Sequence, residues 1–74
     1  MEFVINAWLE RRDPHIVVSH GASGARILDW DHIVVQRLFA TGEVVPEDFL
    51  SLARQDVTEL VLKLFRMADR LEAA

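Results

Sequence analysis

The strongest constraint on the fold is the apolar repeat in residues 46–72. At 100° per residue, its apolar side chains fall into one arc, which is the period of an amphipathic helix. Seven of them alternate spacings of three and four along about six helical turns: Leu50, Ala53, Val57, Leu60, Leu64, Met67 and Leu71. A helix of this kind needs an apolar surface to lie on, so we expect the rest of the chain to supply one.

The start of this long helix has two possible positions. Pro46 suits a first helical turn, where its missing N–H costs nothing. Asp56 with Glu59 resembles a capping box, which leaves open a separate helix beginning there. The unbroken repeat favours one continuous helix over residues 46–72.

Three short segments near the N-terminus predict an antiparallel meander. Residues 2–10 fit a short helix or a strand, and their aromatic and β-branched residues favour the strand. Residues 15–20 are short and β-branched, which is typical of a strand. Residues 21–24, GASG, form a tight hairpin loop, after which residues 25–30 return as the third strand.

The faces of this sheet follow from its turns. Symmetric turns predict Ala7 opposite Val18 and Val17 opposite Leu28, and directly opposed residues share a face. One face then carries Ile5, Ala7, Leu9, Ile16, Val18 and Ile27, and the other carries Val4, Trp8, Val17, Leu28 and Trp30. Solvated antiparallel sheets usually have one polar face. Because both faces here are apolar, we expect a covering layer beyond the chain's own helices.

A short helix over residues 32–40 connects the sheet to the long helix. Asp29 or Asp31 is its expected N-cap, and Gly42 suits the left-handed position after its end. The predicted fold is therefore α+β, a single domain of residues 1–74. It consists of a three-stranded antiparallel meander followed by a short helix and a long amphipathic C-terminal helix.

Length and composition favour association with another chain. A chain of 74 residues buries only roughly 60% of the surface that its unfolded form exposes. The absence of cysteine excludes disulfides and thiolate metal sites, which leaves oligomerisation as the expected support for a small domain. Hydrophobic residues make up 51% of the chain, and Leu52 and Leu62 fall outside the main helical arc.

The charge pattern limits the kinds of partner. The formal net charge is −4, and the basic residues are scattered. A nucleic-acid partner is not expected, because duplex binding requires a basic stripe that displaces counterions. A membrane partner is not expected either, because no apolar run approaches the roughly 20 residues of a transmembrane helix. The N-terminal charges are placed wrongly for a signal peptide, so we expect a cytoplasmic protein.

No motif in the sequence supports chemistry. Residues 21–25 resemble a G-x-S-x-G nucleophile elbow around Ser23, with Ala25 in the last place, but a strand follows where that elbow needs a helix. His15 and His20 point to opposite faces of one strand, and His32 follows a helix cap without metal-ligand spacing. We expect no enzyme activity, no catalytic residue, no cofactor and no metal site.

The predicted function is a small non-catalytic protein–protein interaction module, such as an adaptor, regulator or accessory subunit, which forms a homodimer and has a further, unidentified protein partner. The alternative is a small-molecule-binding or minor catalytic subunit whose site forms at an interface near His20 and His32. The residues predicted for the dimer interface lie on the long helix, with a sheet face as the alternative surface: Leu50, Val57, Leu60, Val61, Leu64, Phe65, Met67 and Leu71, and Trp8, Leu28 and Trp30.

Overall fold

The computed structural model describes residues 2–50 and 54–72. It contains a three-stranded antiparallel sheet in the order β1-β2-β3, followed by helices, which confirms the predicted α+β fold. The elements are β1 (Phe3–Trp8), β2 (His15–His20), β3 (Arg26–Trp30), α1 (His32–Ala40), a 3₁₀ turn (Pro46–Phe49) and α2 (Arg54–Glu72).

Both α-helices pack on one face of the sheet, which we call the inner face. α2 lies over β1, and α1 lies over β2 and β3. The buried core between the layers comprises Ile16, Val18, Leu28, Trp30, Val35, Leu38, Val44, Leu60, Val61, Leu64, Met67 and Leu71. Trp30 is 1% exposed, and its indole N–H donates to Glu72 Oε1 at 3.0 Å. The largest core side chain therefore keeps a partner for its one polar group.

The pairing of β2 with β3 follows the prediction only beside the loop. There the His20 N–H donates to the Ala25 carbonyl at 2.8 Å. Further along, a bulge between Val18 and Ser19 shifts the register, so that Val18 lies opposite Leu28. A one-residue shift moves a side chain to the other face. The prediction that Leu28 lies opposite Val17 was therefore wrong, because a symmetric loop does not allow for the extra residue of a bulge.

Trp30 changes face for the same reason. It pairs with Ile16, so it lies on the inner face, under the helices. The predicted apolar face that joined Trp8, Leu28 and Trp30 is therefore wrong. Of these three residues, only Trp8 lies on the opposite, outer face.

The pairing of β1 with β2 differs from the prediction by two residues. Ile5 lies opposite Val18, and Ala7 lies opposite Ile16 instead of Val18. The cause is the connection over residues 9–14, which is longer than a tight symmetric turn. A shift of two residues keeps every side chain on its predicted face, because strand side chains alternate with period 2.

The ends of α1 are as predicted. Asp31 is the N-cap, and its Oδ1 accepts hydrogen bonds from the backbone N–H groups of Ile33 and Val34 at 3.1 and 3.2 Å. Gly42 follows the helix with φ +76°, a left-handed conformation that glycine adopts without steric cost.

The start of the C-terminal segment differs from the prediction of one α-helix from Pro46. Residues Pro46–Phe49 form a 3₁₀ turn, in which the Asp48 carboxylate accepts from the Val45 N–H at 3.1 Å. The predicted continuity of the helix depends on residues 51–53, which lie outside the described residues. From Arg54 onward the segment is α-helical to Glu72.

Candidate interaction surfaces

The predicted interface residues lie largely inside the chain's own core. Seven of them are buried: Leu28, Trp30, Leu60, Val61, Leu64, Met67 and Leu71. Val57 and Phe65 are partly buried against that core. Only Leu50, 76% exposed, and Trp8, 44% exposed, are open to solvent to a large extent. The apolar repeat of α2 thus serves the intramolecular core, and the surfaces open to a partner lie elsewhere.

The outer face of the sheet is one such surface. Both α1 and α2 lie on the inner face instead. Val4 and Trp8 are 46% and 44% exposed there, whereas Val17 is 7% exposed between its strand neighbours. Asn6 and Ser19 lie on the same face. The outer face is therefore a mixed surface with exposed apolar side chains on β1.

A group of polar side chains surrounds Trp8 on this face. The His15 ring stands edge-on to Trp8 at 6.2 Å between centroids, and the Arg11 guanidinium lies 5.9 Å from the Trp8 ring centroid. His15 Nε2 is hydrogen-bonded to Asp29 Oδ1, and Arg26 Nη1 donates to Asp29 Oδ2 at 3.2 Å. Asp29 is thus paired with His15 and Arg26, and the Trp8 indole is contacted by His15 and Arg11.

The histidines of the alternative functional hypothesis are far apart within the chain. His20 ends β2, and His32 follows the end of the antiparallel strand β3, so they lie at opposite ends of the sheet. Ser23 Oγ lies 3.5 Å from His20 Nδ1 and accepts from the Ala25 N–H at 3.2 Å. The second contact is a local turn interaction. In the part of the chain that the structure describes, no three His, Cys, Asp or Glu side chains gather as a metal site.

The free edge of β1 is a second open surface. In an antiparallel pair, hydrogen-bonded and non-hydrogen-bonded residue pairs alternate. The N–H of His20 points to β3, where it bonds Ala25, and the Gly21 N–H bonds the Glu2 carbonyl at 2.9 Å. The pair Phe3–His20 is therefore non-hydrogen-bonded. It follows that the N–H and C=O groups of Phe3, Ile5 and Ala7 point away from β2.

Nothing in the sequence of β1 protects this edge. Its six residues, FVINAW, include no charge and no proline, and its pairing with β2 runs without a bulge. Natural edge strands commonly carry one of these features to prevent pairing with another chain. Over residues 2–50 and 54–72, the sheet has no strand beyond β1. We call the outward backbone groups of Phe3, Ile5 and Ala7 the open edge.

The side of α2 above the open edge is apolar. Phe65 packs edge-to-face on Phe3, with ring centroids 5.9 Å apart. Leu62 precedes Phe65 by three residues, a spacing that places two residues on the same side of a helix, and it is 50% exposed. Leu62 and Phe65 line a shallow surface depression with Arg66.

The other side of α2 is occupied by the chain itself. Lys63 Nζ donates to the Glu43 carbonyl at 2.7 Å, and Arg70 Nη2 donates to Glu43 Oε2 at 3.1 Å. These bonds attach the connection after α1 to that side of the helix. The apolar side above β1 is the one left open.

The open edge was missed in the sequence because side-chain patterns carry no information on backbone hydrogen-bond direction. The one usable signal was the absence of charge from Phe3–Trp8. Leu62 was recognised only as a residue outside the main helical arc.

Comparisons with protein-family models, with curated proteins and with solved structures give no match. Within residues 2–50 and 54–72, no helix combines the length and apolar composition needed to cross a membrane. The functional interpretation therefore depends on the surfaces of the chain itself.

Proposed function

We propose that this protein is a small non-catalytic protein–protein interaction module that acts in the cytoplasm as a homodimer and serves as an adaptor, regulator or accessory subunit. The observation that carries the proposal is the open edge of β1. Three alternate residues there, Phe3, Ile5 and Ala7, direct their backbone donors and acceptors away from β2, in a strand without charge.

A second copy of the same chain is the simplest partner for this edge. Twofold homodimers are the commonest soluble assemblies, and β-strand addition derives its affinity from main-chain hydrogen bonds. The exposed apolar side chains Val4, Trp8 and Leu62 lie on β1 or on the helix above it. Association along β1 would therefore remove apolar area from water near the open edge, which adds to the hydrogen bonding.

Sedimentation equilibrium tests the homodimer. The expected mass at micromolar concentration is twice the 8.5 kDa of one chain, with reversible dissociation on dilution. A mass of one chain that persists at high micromolar concentration would overturn the proposal.

The non-catalytic assignment has a separate test at the loop between β2 and β3. The purified protein is expected to leave general ester and phosphate-ester substrates unchanged. Turnover that disappears in Ser23→Ala or His20→Ala, while the variant keeps its fold and mass, would contradict the assignment. Thr41→Ala, at the end of α1, serves as the control, because it also removes a hydroxyl that makes local hydrogen bonds.

A further inference from the structure

We infer that two copies of this chain join β1 to β1 in antiparallel fashion, with Ile5 opposite the partner's Ile5, and so form a continuous six-stranded sheet. The inference rests on the proposed homodimer and specifies its contact. The partner is thus a second copy of this chain, bound through its backbone.

Symmetry and hydrogen bonding together select this register. In a twofold antiparallel pair, one residue must lie opposite its own copy. With Ile5 at that position, Phe3 lies opposite the partner's Ala7, and all three outward residues of each copy meet outward residues of the other. Each of these pairs exchanges two hydrogen bonds. A register centred on Val4 or Asn6 leaves one outward residue of each strand opposite a residue outside β1.

The same symmetry places both helical layers on one side of the sheet. Directly opposed residues share a face, so a residue opposite its own copy makes the two inner faces continuous. Because α2 lies over β1, the two α2 helices come to flank the twofold axis. The open apolar side of each helix, with Leu62 and Phe65, then faces the other helix.

Like charges do not meet along the paired β1 strands in this register. No charged residue lies opposite another charged residue within them, because Phe3–Trp8 has none.

Amide hydrogen exchange tests the pairing directly. The N–H groups of Val4, Asn6 and Trp8 bond β2 in one chain and should be protected at every concentration. The N–H groups of Ile5 and Ala7 should exchange rapidly in dilute protein and become at least about tenfold slower as the dimer forms. Rapid exchange of Ile5 and Ala7 in a sample whose mass has doubled would overturn the β1 contact and leave the homodimer standing. A sample that stays monomeric would overturn both.

Single cysteines test the register, because the chain has none of its own. In a hydrogen-bonded antiparallel pair, the Cα atoms are about 5.5 Å apart, a distance that a disulfide spans. Ile5→Cys should therefore form a covalent dimer in a redox buffer. Asn6→Cys is the matched control, because its own copy lies two residues further along, beyond the roughly 7 Å limit. Cross-linking of Asn6→Cys in preference to Ile5→Cys would overturn the register.

Discussion

β1 and β3 both lie at an edge of the sheet, but only β3 carries the features that prevent pairing with another chain. β3 has a bulge in its pairing with β2 and includes the charged residues Arg26 and Asp29. Its pairs Val18–Leu28 and Ile16–Trp30 bond inward, so Asp29 alone directs backbone groups outward between them. β1 is regular and uncharged and offers three such residues.

The difference indicates which edge is available for association. A bulge blocks strand addition because it interrupts the row of backbone donors and acceptors. Charged side chains block it because they resist removal from water. β3 has both features, and its solvent-facing groups are engaged in pairs around Asp29. A chain that protects one edge and leaves the other open is suited to a closed twofold dimer, because pairing of the two open edges leaves only protected edges exposed.

Proline substitutions give the largest expected contrast between the edges. Ala7→Pro removes an N–H that points away from β2, and proline is tolerated at such edge positions. In the dimer it removes a hydrogen bond at each of two symmetric pairs, each contributing about 1 kcal/mol. We expect the dimer Kd to rise at least about thirtyfold, measured by sedimentation.

Asp29→Pro is the matched change at the outward position of β3. It removes no hydrogen bond between the two β1 strands. The dimer Kd should therefore stay within about twofold of the wild-type value. Circular dichroism confirms folding of both variants. Equal weakening by the two substitutions would contradict the assignment of β1 as the associating edge.

The hairpin that leads into β3 depends on Gly24, which has φ +73° and open space within 4 Å of the position that a Cβ would occupy. Gly24→Val should lower the free energy of unfolding by about 1–2 kcal/mol through backbone strain alone, as measured by urea denaturation. Gly24→Asn should cost less, because asparagine tolerates the left-handed conformation. Equal stability of the valine variant and the wild type would show that the turn does not hold this conformation in solution.

Local signals in the sequence were sufficient for the order of elements. The β-branched run at His15–His20, the cap at Asp31 and the glycine at position 42 each act within a few residues, and each is confirmed. The register of β3 could not be obtained in this way. Ile27 and Leu28 are both apolar, so the pattern does not indicate which one points inward. The bulge places Leu28 in the core and leaves Ile27 43% exposed.

The candidate surface was harder to predict than the fold. An apolar repeat such as that of Leu60, Leu64 and Leu71 is the same whether it faces its own sheet or another chain. The structure uses all three in the intramolecular core. The open edge is a property of backbone direction, which depends on the pairing with β2 and is not encoded in the side-chain pattern of β1.

Two apolar positions of matched exposure test the helical layer of the proposed dimer. Leu62, on α2, is 50% exposed, and Ile33, on α1, is 48% exposed. Leu62→Glu should raise the dimer Kd about tenfold, because it replaces partly buried apolar area by two like charges near the axis. Ile33→Glu should leave the Kd unchanged, because α1 lies over β2 and β3. The reverse result would place the second copy on α1.

The smallest effect is expected at the protected edge, in Asp29→Asn. The side chains of His15, Asp29 and Arg26 are 34%, 42% and 72% exposed, and exposed ion pairs of this kind contribute about 0–1 kcal/mol. The free energy of unfolding should therefore fall by less than about 1 kcal/mol, and the difference from the wild type should shrink in roughly 0.5 M salt, where screening is stronger. The dimer Kd should not change, because β3 lies away from the paired β1 strands in the proposed dimer. The variant could instead form larger, concentration-dependent assemblies. That result would show that the Asp29 charge keeps β3 from pairing with another chain. Asp29 would then serve to prevent a second intermolecular strand pairing and not to stabilise the fold.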